Sequence, residues 1–89
     1  MEATRSVRVV NPAGLHARPC HAIVTTANGF ESELRVECEG NVVNGRSILE
    51  LMTLSAPCES VLTLRGKGRD AEEMVERVAR LVEAGFDEM

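Results

Sequence analysis

The sequence predicts an α+β domain, an open-faced β-sandwich in which a four-stranded antiparallel sheet carries three helices on one face, in the order β-α-β-β-α-β-α. Three segments alternate apolar and polar residues, as half-buried strands do, a short fourth strand returns from a tight turn, and three segments repeat apolar residues at helical spacing. Charged residues fill the outward strand positions, which indicates a sheet covered on one side only. By pattern alone, a ferredoxin-like β-α-β-β-α-β arrangement fits almost as well.

The first strand and the first helix flank a turn. Residues 5–10 alternate, with two valines facing one side, which predicts a half-buried strand. The first helix is predicted over residues 17–27, because Pro19 is tolerated in the first turn of a helix, where its missing N–H is no loss. Asn28-Gly29 is a pair that ends helices by adopting left-handed backbone.

An alternating segment, a turn and a short apolar return predict a hairpin. Residues 31–39 form the first of its strands, Gly40-Asn41 is predicted to make a tight turn, and residues 42–44 return as a short strand. The side chains predicted to point into the core from the first of these strands are Leu34, Val36 and Cys38.

The second helix is predicted to begin at Ser47. Ser47 and Glu50 match the capping box Ser-x-x-Glu, in which the serine accepts from the N–H of the glutamate and the glutamate reaches back to the serine N–H. This helix is predicted to continue to about Leu54, and residues 60–65 are predicted to form the fourth strand.

The third helix is predicted to follow Asp70 and to end at Gly85. Asp70 and Glu73 form a pair that resembles a capping box. The apolar stripe of this helix consists of Met74, Val75, Val78, Leu81 and Val82.

Composition limits the classes of function. The 89 residues make one small domain, residues 1–89, and 44% of them are hydrophobic, enough for one core. A formal net charge of −4 argues against nucleic acid or an anionic membrane as the main partner, and two phenylalanines provide no platform for stacking bases. No apolar run approaches the ~20 residues of a membrane span, and residues 1–4 are too short and polar for a signal peptide. We expect a cytoplasmic protein without a cofactor.

Three cysteines, Cys20, Cys38 and Cys58, show neither a disulfide framework nor a zinc-binding spacing. Cys20 lies four residues after His16 and directly before His21, so a small metal site is conceivable. The better interpretation is that Cys20 is a small core residue on the apolar stripe of the first helix and that His21 is solvated. We therefore expect no metal.

His16 is the candidate reactive residue, because it stands at the entrance of the first helix. A helix N-terminus carries roughly half a positive charge and binds phosphate through its free N–H groups, here those of Ala17 and Arg18. A neutral histidine can attack phosphorus with its lone pair, and the guanidinium of Arg18 offers a planar fork of donors for phosphate oxygens. From position alone, a solvated histidine without a function is the alternative.

The segment Gly-Leu-His-Ala-Arg-Pro at residues 14–19 resembles the active-site motif of the HPr family, the histidine phosphocarriers of the sugar phosphotransferase system. The similarity continues from residue 5 to residue 84 and includes a second motif, Arg-Ser-Ile, at residues 46–48. The resemblance implies that the Nδ1 atom of His16 accepts a phosphoryl group from phospho-enzyme I, which is charged from phosphoenolpyruvate, and passes it to an enzyme IIA. It implies a carrier rather than an enzyme, with Arg18 stabilising the phosphate. Many relatives have a polar residue where this chain has Ala13.

The resemblance also assigns a role to the second helix. Ser47 matches the serine that HPr kinase/phosphorylase phosphorylates in many bacteria, although Glu50 stands where relatives regulated in this way often have glycine. An ordinary N-cap is the alternative interpretation of this serine. Ile48, Leu51 and Met52 are candidates for an apolar docking patch, with the core as the alternative for each.

Three functions follow from these observations. The first is a monomeric phosphocarrier that uses His16. The second is a regulatory module of the same fold that acts through Ser47 and binds a transcriptional regulator or an enzyme. The third is a small ferredoxin-like domain that binds a metal through His16, Cys20 and His21.

Overall fold

The computed structural model describes residues 1–88 and shows four strands and three α-helices in the predicted order. A short 3₁₀ turn that the sequence did not indicate follows the last helix. In chain order the elements are β1 (Glu2–Arg8), α1 (Ala17–Ala27), β2 (Glu33–Cys38), β3 (Asn41–Asn44), α2 (Ile48–Met52), β4 (Val61–Lys67), α3 (Ala71–Glu83) and the 3₁₀ turn (Gly85–Asp87).

The sheet has the strand order β1-β4-β2-β3, and every pairing is antiparallel. A ferredoxin-like domain also has an antiparallel sheet, but its split βαβ units place the first and third strands at the centre. Here β1 and β3 are the edge strands and β4 and β2 lie between them. The strand order therefore excludes that alternative and confirms the predicted α+β open-faced sandwich.

The core lies between the sheet and the helices and is almost entirely aliphatic. Alternate strand residues are buried, as the period of two requires. Leu34, Val36, Leu62 and Leu64 are fully buried, whereas charged residues such as Arg35 face solvent from the opposite side of the sheet. The buried residues of α3 complete this core: Ala71, Met74, Val75, Val78, Ala79 and Val82.

Two strands are longer than predicted. β1 begins at Glu2 rather than at residue 5, because its backbone stays paired with β4 through Glu2 and Lys67. β4 continues through Gly66 to Lys67, beyond the predicted end at residue 65. A Cβ at Gly66 would lie 2.8 Å from a Val75 methyl carbon, so the glycine lets α3 pack closely on the sheet.

The hairpin between β2 and β3 was predicted correctly, but its turn residues are Glu39 and Gly40 instead of Gly40 and Asn41. Both have positive φ, 49° and 85°, and Cys38 pairs with Asn41 across the turn. This is the backbone sign that a two-residue hairpin turn favours, because its twist matches that of the strands.

The ends of α1 and α3 agree with the sequence predictions in position and differ in two details of geometry. α1 has the predicted bounds, but Asn28 has a right-handed φ of −64°, so the chain leaves the helix without a left-handed residue. α3 ends as predicted, with Gly85 at φ +66°. Asp70 does not cap α3 with its side chain. Its carboxylate instead accepts from the N–H groups of Glu31 and Ser32, 2.9 Å away in both cases.

α2 ends at Met52, two residues before the predicted Leu54. Within residues 1–88, no helix combines the length and apolarity needed to cross a membrane.

Candidate functional site

The loop between β1 and α1 is held against the segment that precedes β4. The Val9 N–H donates to Ser60 O, and the Leu15 N–H donates to Ala56 O, both at 2.8 Å. Leu15 is buried, so the loop is anchored by its side chain as well as by its backbone. His16 follows directly and is left exposed at the surface.

Gly14 is the tightest point of this loop. It has φ +72°, and a Cβ there would lie 2.5 Å from the Ala56 carbonyl oxygen. A positive φ of this kind is one that glycine adopts at no steric cost. The space beside Gly14 is filled by Ala56 and Pro57 of the same chain, so the absence of a side chain permits this close approach.

His16 is the N-cap residue of α1, with extended backbone at φ −92° and ψ −169°. Its carbonyl oxygen accepts from the Cys20 N–H at 3.1 Å, which begins the helix. No acidic side chain lies in the first turn, and the His16 side chain makes no capping hydrogen bond. The N–H groups of Ala17 and Arg18 belong to the first turn, where α-helical hydrogen bonding gives them no partner. These amides are therefore available to an anion beside the imidazole.

Glu88 is a site residue that sequence reasoning missed. The Nε2 atom of His16 lies 3.1 and 3.2 Å from the two carboxylate oxygens of Glu88. The hydrogen bond with His16 is the largest cause that lowers the pKa of the Glu88 carboxyl, and a hydrogen bond from Asn11 and the charge of Arg18 act in the same direction. The carboxylate is therefore held in its ionised form.

Asn11 completes the contacts around His16. Its side chain is fully buried, and its Nδ2 donates to Gly14 O at 2.8 Å and to a Glu88 carboxylate oxygen at 3.0 Å. Sequence reasoning treated this residue only as part of a turn. Its separation from Glu88 by 77 positions left no local signal for the contact.

Arg18 is exposed and forms no ion pair within the part of the chain that the structure describes. Its charge contributes to the lowered pKa of the Glu88 carboxyl, after the hydrogen bonds from His16 and Asn11.

Cys20 and His21 do not join His16 in a metal site. Cys20 is fully buried, with its sulfur 3.8 Å from the Leu15 carbonyl oxygen, and burial raises the pKa of its thiol to about 11. His21 is exposed. No group of three or more potential ligands lies together within residues 1–88. The prediction that Cys20 is a core residue is confirmed.

Ser47 caps α2, but only half of the predicted capping box forms. The Ser47 hydroxyl oxygen accepts from the Glu50 N–H at 3.2 Å. The Glu50 carboxylate does not reach back to Ser47 and accepts instead from the Asn44 N–H at 3.0 Å. The Ser47 N–H donates to the Asn44 carbonyl oxygen at 3.1 Å. The box is incomplete because the turn after β3 supplies a backbone partner for each group.

Arg46, which belongs to the second motif, is fixed by the fold. Its guanidinium donates to the carbonyl oxygens of Phe30 and Ser32 at 2.6 and 2.8 Å and to Asn28 Oδ1 at 3.2 Å. This arginine therefore ties the end of α1 to the start of α2.

The predicted docking residues divide between core and surface. Leu51 is fully buried, so its assignment to a docking patch is corrected to the core. Ile48 is half-buried against the core, and Met52 is 41% exposed. Leu49 is 79% exposed, and sequence reasoning missed it because it lies off the apolar stripe. The exposed apolar surface of α2 is formed by Leu49 and Met52.

Comparison with known proteins places these features in a family. The family model described as "PTS HPr component phosphorylation site" matches residues 3–84. The chain belongs to the HPr family. HPr proteins are phosphocarriers of the phosphotransferase system, which serves sugar transport, and they are not classical enzymes.

Three relatives illustrate the range of this HPr family. The phosphocarrier protein HPr of Treponema pallidum is 37% identical over 84 residues, which is 94% of this chain and 96% of that protein. The HPr-like protein Crh of Halalkalibacterium halodurans is 38% identical, covering 89% of this chain and 94% of that protein. The crystal structure of HPr-C-His from Thermoanaerobacter tengcongensis superposes with a TM-score of 0.92 at 34% identity, covering 98% of both chains.

Proposed function

We propose that this chain is a phosphocarrier whose His16 accepts a phosphoryl group on Nδ1 from phospho-enzyme I and passes it to an enzyme IIA of a sugar permease. The observation that carries the proposal is the position of His16. The ring is exposed at the N-terminus of α1, beside the amides of Ala17 and Arg18 and the Arg18 guanidinium. We propose that the protein acts as a monomer in the cytoplasm.

The chemistry that this arrangement supports is reversible phosphoryl transfer. The Nδ1 lone pair forms a bond to phosphorus, and the bond between phosphorus and the donor breaks with its electron pair leaving on the donor. Positioning and charge stabilisation supply most of the catalysis in such transfers. The helix amides and Arg18 offer donors for the phosphate oxygens. An enzyme IIA histidine then attacks the same phosphorus, and the imidazole of His16 is the leaving group.

Phosphoryl transfer from phosphoenolpyruvate tests this proposal directly. The protein is incubated with phosphoenolpyruvate and a general enzyme I and then analysed by intact mass before and after acid treatment. We expect one acid-labile phosphate, which is lost in His16→Ala and retained in His21→Ala, a matched control on the same helix. Labile phosphate that persists in His16→Ala would contradict the assignment of the reactive residue.

A second role, regulation through phosphorylation of Ser47, is supported by the similarity to an HPr-like protein Crh. Ser47 lies beside the exposed surface formed by Leu49 and Met52. A phosphate there adds about two negative charges at this surface and changes which partners it can approach. The proposed partners are HPr kinase/phosphorylase, which adds the phosphate, and a transcriptional regulator that binds the product.

Glu50 opposes this second role, because an acidic side chain one turn away repels a phosphate. Treatment with ATP and HPr kinase/phosphorylase tests it. We expect one acid-stable phosphate that is absent in Ser47→Ala, and faster modification in Glu50→Gln. If neither the native chain nor Glu50→Gln is modified, the regulatory role is excluded.

A further inference from the structure

A chain of hydrogen bonds connects the loop, the C-terminal segment and the reactive ring. Asn11 donates to Gly14 O and to Glu88, and the Glu88 carboxylate contacts His16 Nε2. These residues come from three separate places: the loop after β1, the start of α1 and the residue after the 3₁₀ turn. The Glu88 side chain is 16% exposed and the His16 side chain 42% exposed, so the carboxylate is largely covered while the ring stays open to solvent.

The orientation of the Asn11 amide is determined by its neighbours. Both of its contacts are to oxygen atoms that can only accept, the Gly14 carbonyl and the Glu88 carboxylate. The NH₂ group must face them, since a reversed amide would put oxygen against oxygen. Asn11 Oδ1 is buried without a hydrogen-bond partner within residues 1–88, a cost that the two donated bonds offset.

The Glu88 carboxylate in turn determines which nitrogen of His16 carries the proton. An ionised carboxylate is an acceptor only, so a hydrogen bond at Nε2 requires a hydrogen on Nε2. In the neutral imidazole the other nitrogen, Nδ1, then has the free lone pair. Active sites often hold a nucleophile by one neighbouring group, which a third group holds in turn. Here His16 is the nucleophile, Glu88 is its neighbour, and Asn11 donates to Glu88.

We propose that Asn11 and Glu88 are positioning residues that hold neutral His16 as the Nε2–H tautomer and leave Nδ1 as the nucleophile. This inference rests on the proposed phosphocarrier function and adds the device that selects the attacking atom. No group in it changes oxidation state. As Nδ1 bonds to phosphorus, the proton stays on Nε2 and the ring gains positive charge, which the adjacent carboxylate stabilises.

The same contact affects both directions of transfer. The carboxylate lies at Nε2, on the side of the ring away from the phosphoryl group, so its attraction to the charged ring outweighs its repulsion of the more distant phosphate. A ring that keeps its Nε2 proton leaves as neutral imidazole when the phosphoryl group moves on. Loss of Glu88 is therefore expected to slow both acceptance and donation.

Nitrogen NMR of the imidazole rings tests the tautomer directly. In ¹⁵N-labelled protein, at a pH where both histidines are neutral, we expect His16 to be almost entirely Nε2–H. In Glu88→Ala, we expect a mixture like that of the exposed His21, which serves as a reference in the same spectrum. Asn11→Ala, which leaves the carboxylate without its buried donor, is expected to give an intermediate result.

Asp87→Asn is the matched control, because it removes the same charge from the neighbouring exposed residue. Asn tolerates the left-handed backbone at this position, where φ is +61°. We expect it to leave the His16 ring signals unchanged. We expect the rate of phosphoryl acceptance to fall about tenfold in Glu88→Ala and to remain unchanged in Asp87→Asn.

The outcomes separate this inference from the function on which it rests. If the native chain takes up no phosphate from any enzyme I, the proposed function is wrong whatever the tautomer. If the native chain takes up phosphate on His16 while Glu88→Ala keeps the native ring signals and the native rate, the positioning role of Glu88 and Asn11 is wrong and the phosphocarrier function stands.

Discussion

At the scale of single residues, the site depends on the environment of one imidazole. His16 is exposed at the N-terminus of α1, and Glu88 contacts its Nε2 atom. The contact with Glu88 occupies Nε2 and leaves Nδ1 as the nitrogen that can face a partner. This division explains how an exposed histidine can have a defined orientation before a partner arrives.

Arg18 is expected to contribute to the rate through its fork of donors as well as through its charge. In Arg18→Gln, phosphoryl acceptance by His16 should fall by at least about tenfold, because both the charge and the bidentate contact are lost. Arg18→Lys keeps the charge but loses the planar fork of donors, so its rate should lie between those of the native chain and Arg18→Gln. Initial rates with phospho-enzyme I measure this. Equal rates in all three proteins would assign Arg18 to the solvated surface.

The pKa of Glu88 should respond to the loss of its partner. The hydrogen bond to His16 is the first cause that lowers this pKa, so in His16→Ala it should move up toward its ordinary value. Carboxyl ¹³C titration by NMR measures the shift. A titration curve for Glu88 that is the same in both proteins would show that the contact with His16 is absent in solution.

The lowered pKa of Glu88 also makes the free energy of unfolding depend on pH. A carboxyl whose folded pKa is depressed stabilises the fold above its unfolded pKa, and that contribution is lost as the pH falls through the folded value. As the pH falls from the pKa of an unfolded glutamate to the lower pKa of Glu88 in the fold, the native chain should therefore lose more stability than His16→Ala. Urea unfolding at a series of pH values checks it.

At the scale of elements, the loop before α1 depends on the backbone of Gly14. Gly14→Ala should destabilise the fold by about 2–4 kcal/mol, because it combines left-handed strain with a clash against the Ala56 carbonyl. Gly40→Ala is the matched control. It has φ +85° with no atom within 4 Å of the added Cβ, and it should cost only about 1–2 kcal/mol. Urea unfolding compares the two variants, and equal costs would contradict the close packing at Gly14.

The short helix α2 separates a core residue from a surface residue only two positions away. Leu51→Ala should lower the free energy of unfolding by about 2–5 kcal/mol, because it leaves a cavity in the core. Leu49→Ser should change it by less than about 0.5 kcal/mol while weakening binding to enzyme I by about fivefold or more. Calorimetric titration measures the affinity. Unchanged affinity in Leu49→Ser would exclude this surface from docking.

At the scale of the whole molecule, local patterns predicted what depends on neighbours in sequence. The bounds of α1, the inward face of β2, and the capping of α2 by Ser47 follow from periodicity and from short-range chemistry. The position of His16 at a helix entrance follows from Pro19, three residues further on.

The remaining features depend on contacts that sequence spacing does not reveal. Phe86 and Asp87, which follow Gly85, adopt positive φ, and Phe86 is buried in the core. This path of the backbone brings Glu88 to His16. The glycine was interpreted only as a helix end. Likewise, the Asp70 carboxylate accepts from the backbone of Glu31 and Ser32 instead of capping α3, because the fold brings these residues together from 38 and 39 positions away.

The central claim is that the Nδ1 atom of His16 carries the phosphoryl group. The most direct measurement is phosphorus–nitrogen coupling in ¹⁵N-labelled protein after reaction with phosphoenolpyruvate and enzyme I. The account predicts a single phosphorus signal coupled to Nδ1 of His16, with Nε2 still protonated. A phosphorus signal coupled to Nε2, or to His21, would contradict it.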